Sequence, residues 1–254
     1  MSNKYPGGHV EYAFEMSIDH RQSLSSQITD PRVKELVFDK SSPNDPYDYE
    51  WKLVIVLCEI SSLEEADSIG AEIIDTIFNL LSLKLRTAVY NIRQTGHGVI
   101  PREGEGAQCH IIAPTPTCNV MIKSGGRKLS QTEIIDVSNL LSSRSISNTN
   151  ALVNIFSYAM RIDEPVVKFM LLYLILYELY RDQRAIDNFI MMASPSTVQM
   201  PSPHNGRPET VFTKLRNELT HRVDNPPENT RIEIITNTPE LVNIAHKAVM
   251  SKLI

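Results

Sequence analysis

A short segment near the end of the chain combines side chains that can act on a phosphodiester. Arg216 and Asn217 are followed, after three further residues, by His221. A histidine with a pKa near neutrality can exchange protons with a ribose 2′-hydroxyl that attacks its own 3′-phosphate. A guanidinium can bind two phosphate oxygens as charge develops on them, and an amide can hold either group in place. The three side chains therefore suit RNA cleavage without a metal ion or another cofactor.

A helix from Pro208 to Arg222 is predicted to carry these residues. At about 100° per residue, Asn217 and His221 lie one turn apart. His221 falls in the last turn, where the helix dipole favours the protonated imidazole. The opposite side has apolar residues at spacings of three and four, which predict a stripe facing the core: Phe212, Leu215 and Leu219.

This arrangement resembles the motif of the HEPN superfamily, which includes metal-independent ribonucleases. Arg216-Asn217-x-x-x-His221 matches each defined position of that motif, and a long apolar helix and a variable loop precede it. The resemblance covers Ala151 to Ile254, and within the superfamily the Apea-like and methylamine-utilisation accessory branch is the most similar. It implies a helical bundle in a homodimer that brings two motifs into one cleft with an RNA substrate. His221 would be the general acid and base, Arg216 the phosphate clamp and Asn217 the orienting residue.

Members of the superfamily act as toxins, phage-defence nucleases or RNA-processing enzymes, and others are inactive modules that bind RNA, a nucleotide or a protein. An antitoxin or other regulatory partner is therefore a further expectation. The alternative interpretation of Arg216 is a solvated helix face on which the guanidinium pairs with a carboxylate. Glu178, which interrupts an apolar helix, is either such a partner or one half of an ion pair with Arg181 or Arg184.

The densest basic cluster of the first half consists of Lys123, Arg127 and Lys128. Gly125 and Gly126 precede Arg127, but the spacing of a phosphate-binding P-loop is absent, so a basic turn is favoured. The formal net charge of -5 gives no overall attraction to nucleic acid. RNA contact must therefore depend on local patches, and this cluster is a candidate for one.

The histidine and cysteine content argues against a metal site and a disulfide framework. His97, Cys109 and His110 match no standard ligand spacing, and a turn histidine and a strand histidine are favoured. The three cysteines show no CxxC pair, which fits a reducing compartment. Residues Met1 to Gly8 are polar, and the longest apolar stretch is too short to span a bilayer. We therefore expect a cytoplasmic protein with no membrane partner.

The fold class predicted for the whole chain is α+β. The first half mixes alternating or apolar strand patterns with helices opened by the capping boxes Ser62–Glu65 and Ser130–Glu133. A small, mainly antiparallel sheet with packed helices follows from this mixture. Turns are predicted at residues 39–49, 96–98, 104–106 and 114–116. The predicted strands are 9–16, 51–60, 89–92, 109–113 and 119–123, and the predicted helices are 63–85 and 134–141.

The second half is predicted to be all-helical, apart from one possible short strand, and to form a separate domain. A Ser/Asn-rich linker at 142–150 places the division between domains 1–146 and 147–254. The helix after Asp163 is apolar on nearly every face from Val166 to Tyr180, which predicts a central core helix. The full set of expectations is helix 152–160, helix 166–192, loop 194–207, helix 208–222, strand 231–235 and a last helix from Thr238 to near Leu253.

Overall fold

The contacts of the chain divide it into two compact units, Met1–Thr149 and Asn150–Ile254. The structure, a computed structural model, describes residues 4–16, 18–19, 24–26, 28–41, 50–106, 108–112, 127–142, 151–202, 206–220 and 228–253. Both helices and an antiparallel sheet are present, so the predicted α+β class is confirmed. No helix within the described ranges combines the length and apolar character that a membrane crossing requires.

The strands of the first unit are β1 (Gly8–Glu15), β2 (Ile18–Asp19), β3 (Leu24–Ser26), β4 (Val33–Lys40), β5 (Glu50–Leu57), β6 (Tyr90–Val99), β7 (Gln108–Ile111) and β8 (Arg127–Lys128). Six of them form an antiparallel sheet with the order β3-β4-β5-β1-β6-β7. β1 pairs with β5 along its full length, from Gly8 opposite Leu57 to Glu15 opposite Glu50. A separate two-stranded parallel ladder joins β2 to β8.

Two helices of the first unit begin at the predicted capping boxes. In α1 (Leu63–Leu85), the hydroxyl of Ser62 accepts a hydrogen bond from the backbone N–H of Glu65 at 3.2 Å. In α2 (Gln131–Ser142), the bonds are reciprocal: the hydroxyl of Ser130 accepts from the backbone N–H of Glu133, and the carboxylate of Glu133 accepts from the backbone N–H of Ser130. α1 packs on β1, with the ring centroids of Phe78 and Phe14 4.7 Å apart in the core.

Two predicted loops of the first unit are partly wrong. Residues 96–98 continue β6 and do not form a turn. Gly98 is needed in this strand because the ring of His9 lies close to it: a Cβ at position 98 would be 2.5 Å from Cε1 of His9. Asp39 and Lys40 belong to β4, which was not predicted as a strand. Buried and more exposed side chains alternate along β4, and Leu36 is one of the buried ones. Residues 42–49, 113–126 and 143–150, which include a predicted strand and the linker, lie outside the described residues.

The second unit contains five described helices and one two-stranded hairpin, so it departs from the all-helical expectation. The elements are α3 (Ala151–Arg161), α4 (Pro165–Tyr180), α5 (Gln183–Ala193), β9 (Gln199–Pro201), β10 (Pro208–Thr210), α6 (Val211–Thr220) and α7 (Glu228–Leu253). α4 packs against α3, α5, α6 and α7. The first strand of the hairpin lies within the predicted loop at 194–207, and the second strand directly follows that loop.

The single long helix predicted up to Met192 is two helices. Arg181 adopts a left-handed backbone conformation with φ 55°, which ends α4. Asp182 then accepts a hydrogen bond from the backbone N–H of Ala185 at 3.0 Å and so caps α5. α4 is central, as predicted, since it packs against four other helices of the unit, but its apolar surface is not buried on every side: Leu174 and Tyr177 are exposed.

The last helix, α7, includes residues 231–235, which were predicted to be a strand, and it begins ten residues before the predicted start at Thr238. It passes through Pro239, which lacks the N–H that would bond the carbonyl four residues earlier. Side chains preceding the proline donate to nearby carbonyls: the Thr238 hydroxyl to Ile234 O at 2.6 Å and the Asn237 amide to Glu233 O at 2.7 Å. These are side-chain bonds to carbonyls of the preceding turn; the carbonyl that loses its helical donor at Pro239 is that of Ile235.

Candidate functional site

The candidate site lies on α6, whose apolar side fixes its orientation. Phe212 and Leu215 are fully buried, and Leu219 is half-buried, which confirms the predicted stripe. The helix begins after Thr210, whose hydroxyl accepts a hydrogen bond from the N–H of Thr213 at 3.4 Å. The predicted start at Pro208 is wrong, because Pro208 belongs to the hairpin strand β10.

Arg216 and Asn217 are half-buried and bonded to each other. Nη1 of Arg216 donates to Oδ1 of Asn217 at 3.0 Å. The Cζ atom of Arg216 also lies 5.9 Å from the ring centroid of Tyr173, at the outer limit of a cation–π contact. Within the described residues, the other guanidinium N–H groups of Arg216 have no hydrogen-bond partner.

A buried carboxylate lies beside Asn217. Glu209 is only 1% exposed, and its Oε2 accepts hydrogen bonds from Nδ2 of Asn217 at 3.3 Å and from Nε2 of Gln183 at 3.4 Å. A buried charge is strongly unfavourable unless polar groups compensate it. The amides of Asn217 and Gln183 provide that compensation.

A second buried carboxylate, Asp187, holds the beginning of α6. Its Oδ1 accepts from the backbone N–H of Thr210 at 3.1 Å and from the hydroxyls of Thr210 and Thr213 at 2.6 and 2.7 Å. The hydroxyl of Tyr173 is 2.9 Å from that of Thr213. Because Thr213 donates its proton to Asp187, Tyr173 donates to Thr213. The chain of bonds ties α4, α5 and α6 together beside Arg216.

Burial raises the pKa of Tyr173 to about 12. The hydrogen bond with Thr213 opposes this rise, as does the positive charge of Arg216, whereas the negative charges of Asp187 and Glu209 add to it. Tyr173 therefore stays protonated at neutral pH. Its ring is 4% exposed, which places it in the core, whereas the exposed Tyr177 on the same helix is not a core residue.

His221 lies outside the described residues, which break off after Thr220 at the end of α6. The assignment of His221 as general acid and base therefore stays a prediction. Thr220 donates its hydroxyl proton toward the carbonyl of Arg216 at 3.1 Å, so the helical turn that precedes His221 is formed.

Glu178 is exposed, and within the described ranges it forms no ion pair with Arg216, Arg181 or Arg184. Both interpretations of Glu178 as an ion-pair partner are therefore unsupported. Glu209 is the carboxylate that lies near the motif instead. Sequence patterns did not reveal it, because Glu209 was placed in the first turn of a helix, where acidic residues are common and usually exposed.

The predicted basic cluster is only partly described. Lys123 lies outside the described residues, Arg127 and Lys128 form β8, and Lys128 is exposed. β8 pairs in parallel with Ile18–Asp19, which is β2. The role of this cluster in RNA binding stays a prediction.

Two histidines of the first unit, His97 and His110, contact each other in the sheet. His97 and His110 are directly opposite each other on β6 and β7, with ring centroids 5.2 Å apart, and Nδ1 of His97 is 2.5 Å from Oδ1 of Asp67. Both are strand residues, so the turn predicted for His97 is wrong. Among the residues that the structure describes, no group of three or more His, Cys, Asp or Glu side chains could hold a metal ion.

No family model, curated protein or solved structure matches the chain. The arguments about function therefore rest on the residues and geometry of the site itself.

Proposed function

We propose that the chain is a metal-independent endoribonuclease of HEPN type. The observation that carries this proposal is the state of Arg216: one N–H group is fixed on Asn217, and the remaining donors have no partner among the described residues. A guanidinium anchored on one side and open on the other suits bidentate binding of a phosphate.

The reaction is an internal transesterification in RNA. The 2′-oxygen bonds to the adjacent phosphorus, the bond from phosphorus to the 5′-oxygen breaks, and a 2′,3′-cyclic phosphate is left. The 2′-hydroxyl gives up a proton and the departing 5′-oxygen takes one, and His221 is the proposed group for these transfers. Arg216 stabilises the charge on the phosphate, and Asn217 orients Arg216.

We further propose, from the resemblance stated above, that two copies of the chain combine their motifs in one cleft. Such a dimer would supply two His221 side chains, one as base and one as acid. A cytoplasmic location, a toxin or phage-defence role and a regulatory partner belong to the same proposal. RNA contact by Lys123, Arg127 and Lys128 is a secondary part of it.

A non-catalytic module that binds RNA, a nucleotide or a protein is the second candidate. It is favoured by the partial burial of Arg216, which already bonds Asn217 and lies near the ring of Tyr173. The net charge of -5 also opposes strong general attraction to RNA.

Replacement of Arg216 separates the two candidates. Arg216→Ala removes the phosphate clamp, so we expect the RNA cleavage rate to fall by about 100-fold or more. Single-turnover cleavage of a labelled RNA panel measures this. Arg184→Ala is the matched control, because Arg184 is an exposed arginine of the same unit outside the site. Equal rates for both variants, or no cleavage by the wild-type protein, would favour the binding module.

A further inference from the structure

The orientation of the Asn217 amide is determined by the group to which its nitrogen donates a hydrogen bond. An ionised carboxylate only accepts hydrogen bonds, whereas an amide has one accepting end and one donating end. With Glu209 Oε2 3.3 Å from Nδ2, the NH₂ end of Asn217 must face Glu209. The oxygen end must then face Arg216, whose Nη1 donates to it at 3.0 Å.

We propose that Glu209 is a positioning residue for the phosphate clamp, acting on Arg216 through the amide of Asn217. The inference rests on the proposed ribonuclease function for its effect on catalysis. The geometric part, in which Glu209 fixes the amide and the amide fixes the guanidinium, stands independently of that function.

Other described contacts cannot hold Arg216 in this way. The ring of Tyr173 is 5.9 Å from Cζ and imposes no direction on individual N–H groups. No ion pair joins Arg216 to a described carboxylate, so Asn217 is the directional contact that remains. The link through Asn217 therefore decides which N–H groups are left for a phosphate.

Glu209 itself is rigidly held. On β10 it pairs with Met200 of β9, and the next residue, Thr210, is bonded through its N–H and its hydroxyl to Asp187. A second donor, Gln183, meets the same carboxylate oxygen at 3.4 Å. Burial of a carboxylate in this place is costly for folding, and convergence of two donors on one oxygen explains how it is tolerated.

Exchange of donor and acceptor between positions 209 and 217 tests the proposal. Glu209→Gln keeps the size of the side chain but no longer fixes which end of the Asn217 amide faces it. Asn217→Asp alone places two carboxylates against each other, which is unfavourable. The double variant restores one donor and one acceptor: the new amide at 209 donates to the new carboxylate at 217, which accepts from Arg216.

We expect each single variant to lower kcat for RNA cleavage by up to about 100-fold with KM little changed, since the clamp is displaced but not removed. The double variant should recover most of that loss. Glu240→Gln is the matched control, because Glu240 is a carboxylate of the same unit that accepts hydrogen bonds from Ser194 and Thr197 away from the motif. It should leave kcat unchanged. The double variant also keeps the test available if Glu209→Gln alone does not fold.

A second readout does not depend on catalysis. The Nδ2 proton of Asn217 that bonds Glu209, followed by NMR, should exchange more slowly with water in the wild type and in Glu240→Gln than in Glu209→Gln. If the wild type cuts no RNA but shows this pattern, the ribonuclease proposal fails and the positioning role stands. Unchanged amide exchange in Glu209→Gln overturns the positioning role whatever the activity. Unchanged kcat in both single variants of an active enzyme overturns it as well.

Discussion

At the scale of single residues, the site is a half-buried arginine beside a hydrogen-bonded core. Glu209 and Asp187 are both almost fully buried, and hydroxyl, amide and backbone donors satisfy the oxygens that hold α6 and Asn217. Buried polar networks of this kind rigidify their surroundings when their members are paired. Arg216 therefore lies beside a rigid set of bonded residues, which suits the proposed binding of a phosphate in one orientation.

The buried hydroxyl of Tyr173 gives a prediction for alkaline pH. An unfolded tyrosine ionises near pH 10, whereas the pKa of Tyr173 in the folded chain is about 12. Between these values the unfolded state binds fewer protons, so the stability of the second unit should fall as pH rises from 10 to 12. The shift corresponds to a loss of at most about 3 kcal/mol.

Urea unfolding, followed through NMR signals of the second unit, measures this loss. Tyr173→Phe cannot ionise, so its stability should depend less steeply on pH in that range, although it is lower at neutral pH by about 1 kcal/mol because the bond to Thr213 is gone. Tyr12→Phe is the matched control, because burial also raises the pKa of Tyr12 to about 12 but Tyr12 lies in the first unit; it should leave the pH dependence of the second unit unchanged. An identical pH dependence in Tyr173→Phe and the wild type would contradict the prediction.

Residue spacing predicted the apolar stripe beneath the motif but not the carboxylate beside it. The stripe of Phe212 and Leu215 on α6 followed from helical periodicity, because burial of one helix side leaves a local pattern. Burial of Glu209 leaves no such pattern, since it depends on β10 pairing with β9 and on the approach of Gln183 from another helix. Contacts between segments distant in sequence cannot be derived from one of them alone.

At the scale of elements, local signals were reliable where a single motif decides the structure. Both capping boxes, at Ser62 and Ser130, opened helices as predicted, because their hydrogen bonds close within four residues. Proline was misjudged in α7, where Pro239 was expected to mark a beginning. Burial of Ile234 before the proline and of Leu241 and Ile244 after it holds both parts of the helix against the core.

Pro239 offers a test of that continuity. The proline is exposed, so Pro239→Ala removes no core packing and adds an N–H that can bond the carbonyl of Ile235. The difference in helix propensity is roughly 3 kcal/mol for an interior position and already includes the greater flexibility of the unfolded chain. We expect the second unit to become more stable by up to about 3 kcal/mol in urea unfolding.

Glu228→Ala, in the first turn of the same helix, controls for general effects on α7 and should lower its stability only slightly. A Pro239→Ala variant no more stable than the wild type would show that α7 does not run unbroken through this position.

At the scale of the whole molecule, the residues of the proposed function are divided between the two units. The motif lies in Asn150–Ile254, whereas the predicted basic cluster lies in Met1–Thr149. The α+β class was predictable because strand and helix patterns differ in period. The hairpin β9–β10 was missed because its strands are three residues long and lie in a segment rich in proline.

The central claim is that His221 and Arg216 cleave RNA without a metal ion, and the chemical ends of the product test it most directly. The purified protein, incubated with an RNA panel in EDTA, should leave 2′,3′-cyclic phosphate ends. His221→Ala should abolish them, and His110→Ala, which alters an exposed histidine of the first unit, should not. RNA left intact by the wild type, or ends of the same kind and amount from His221→Ala, would contradict the account.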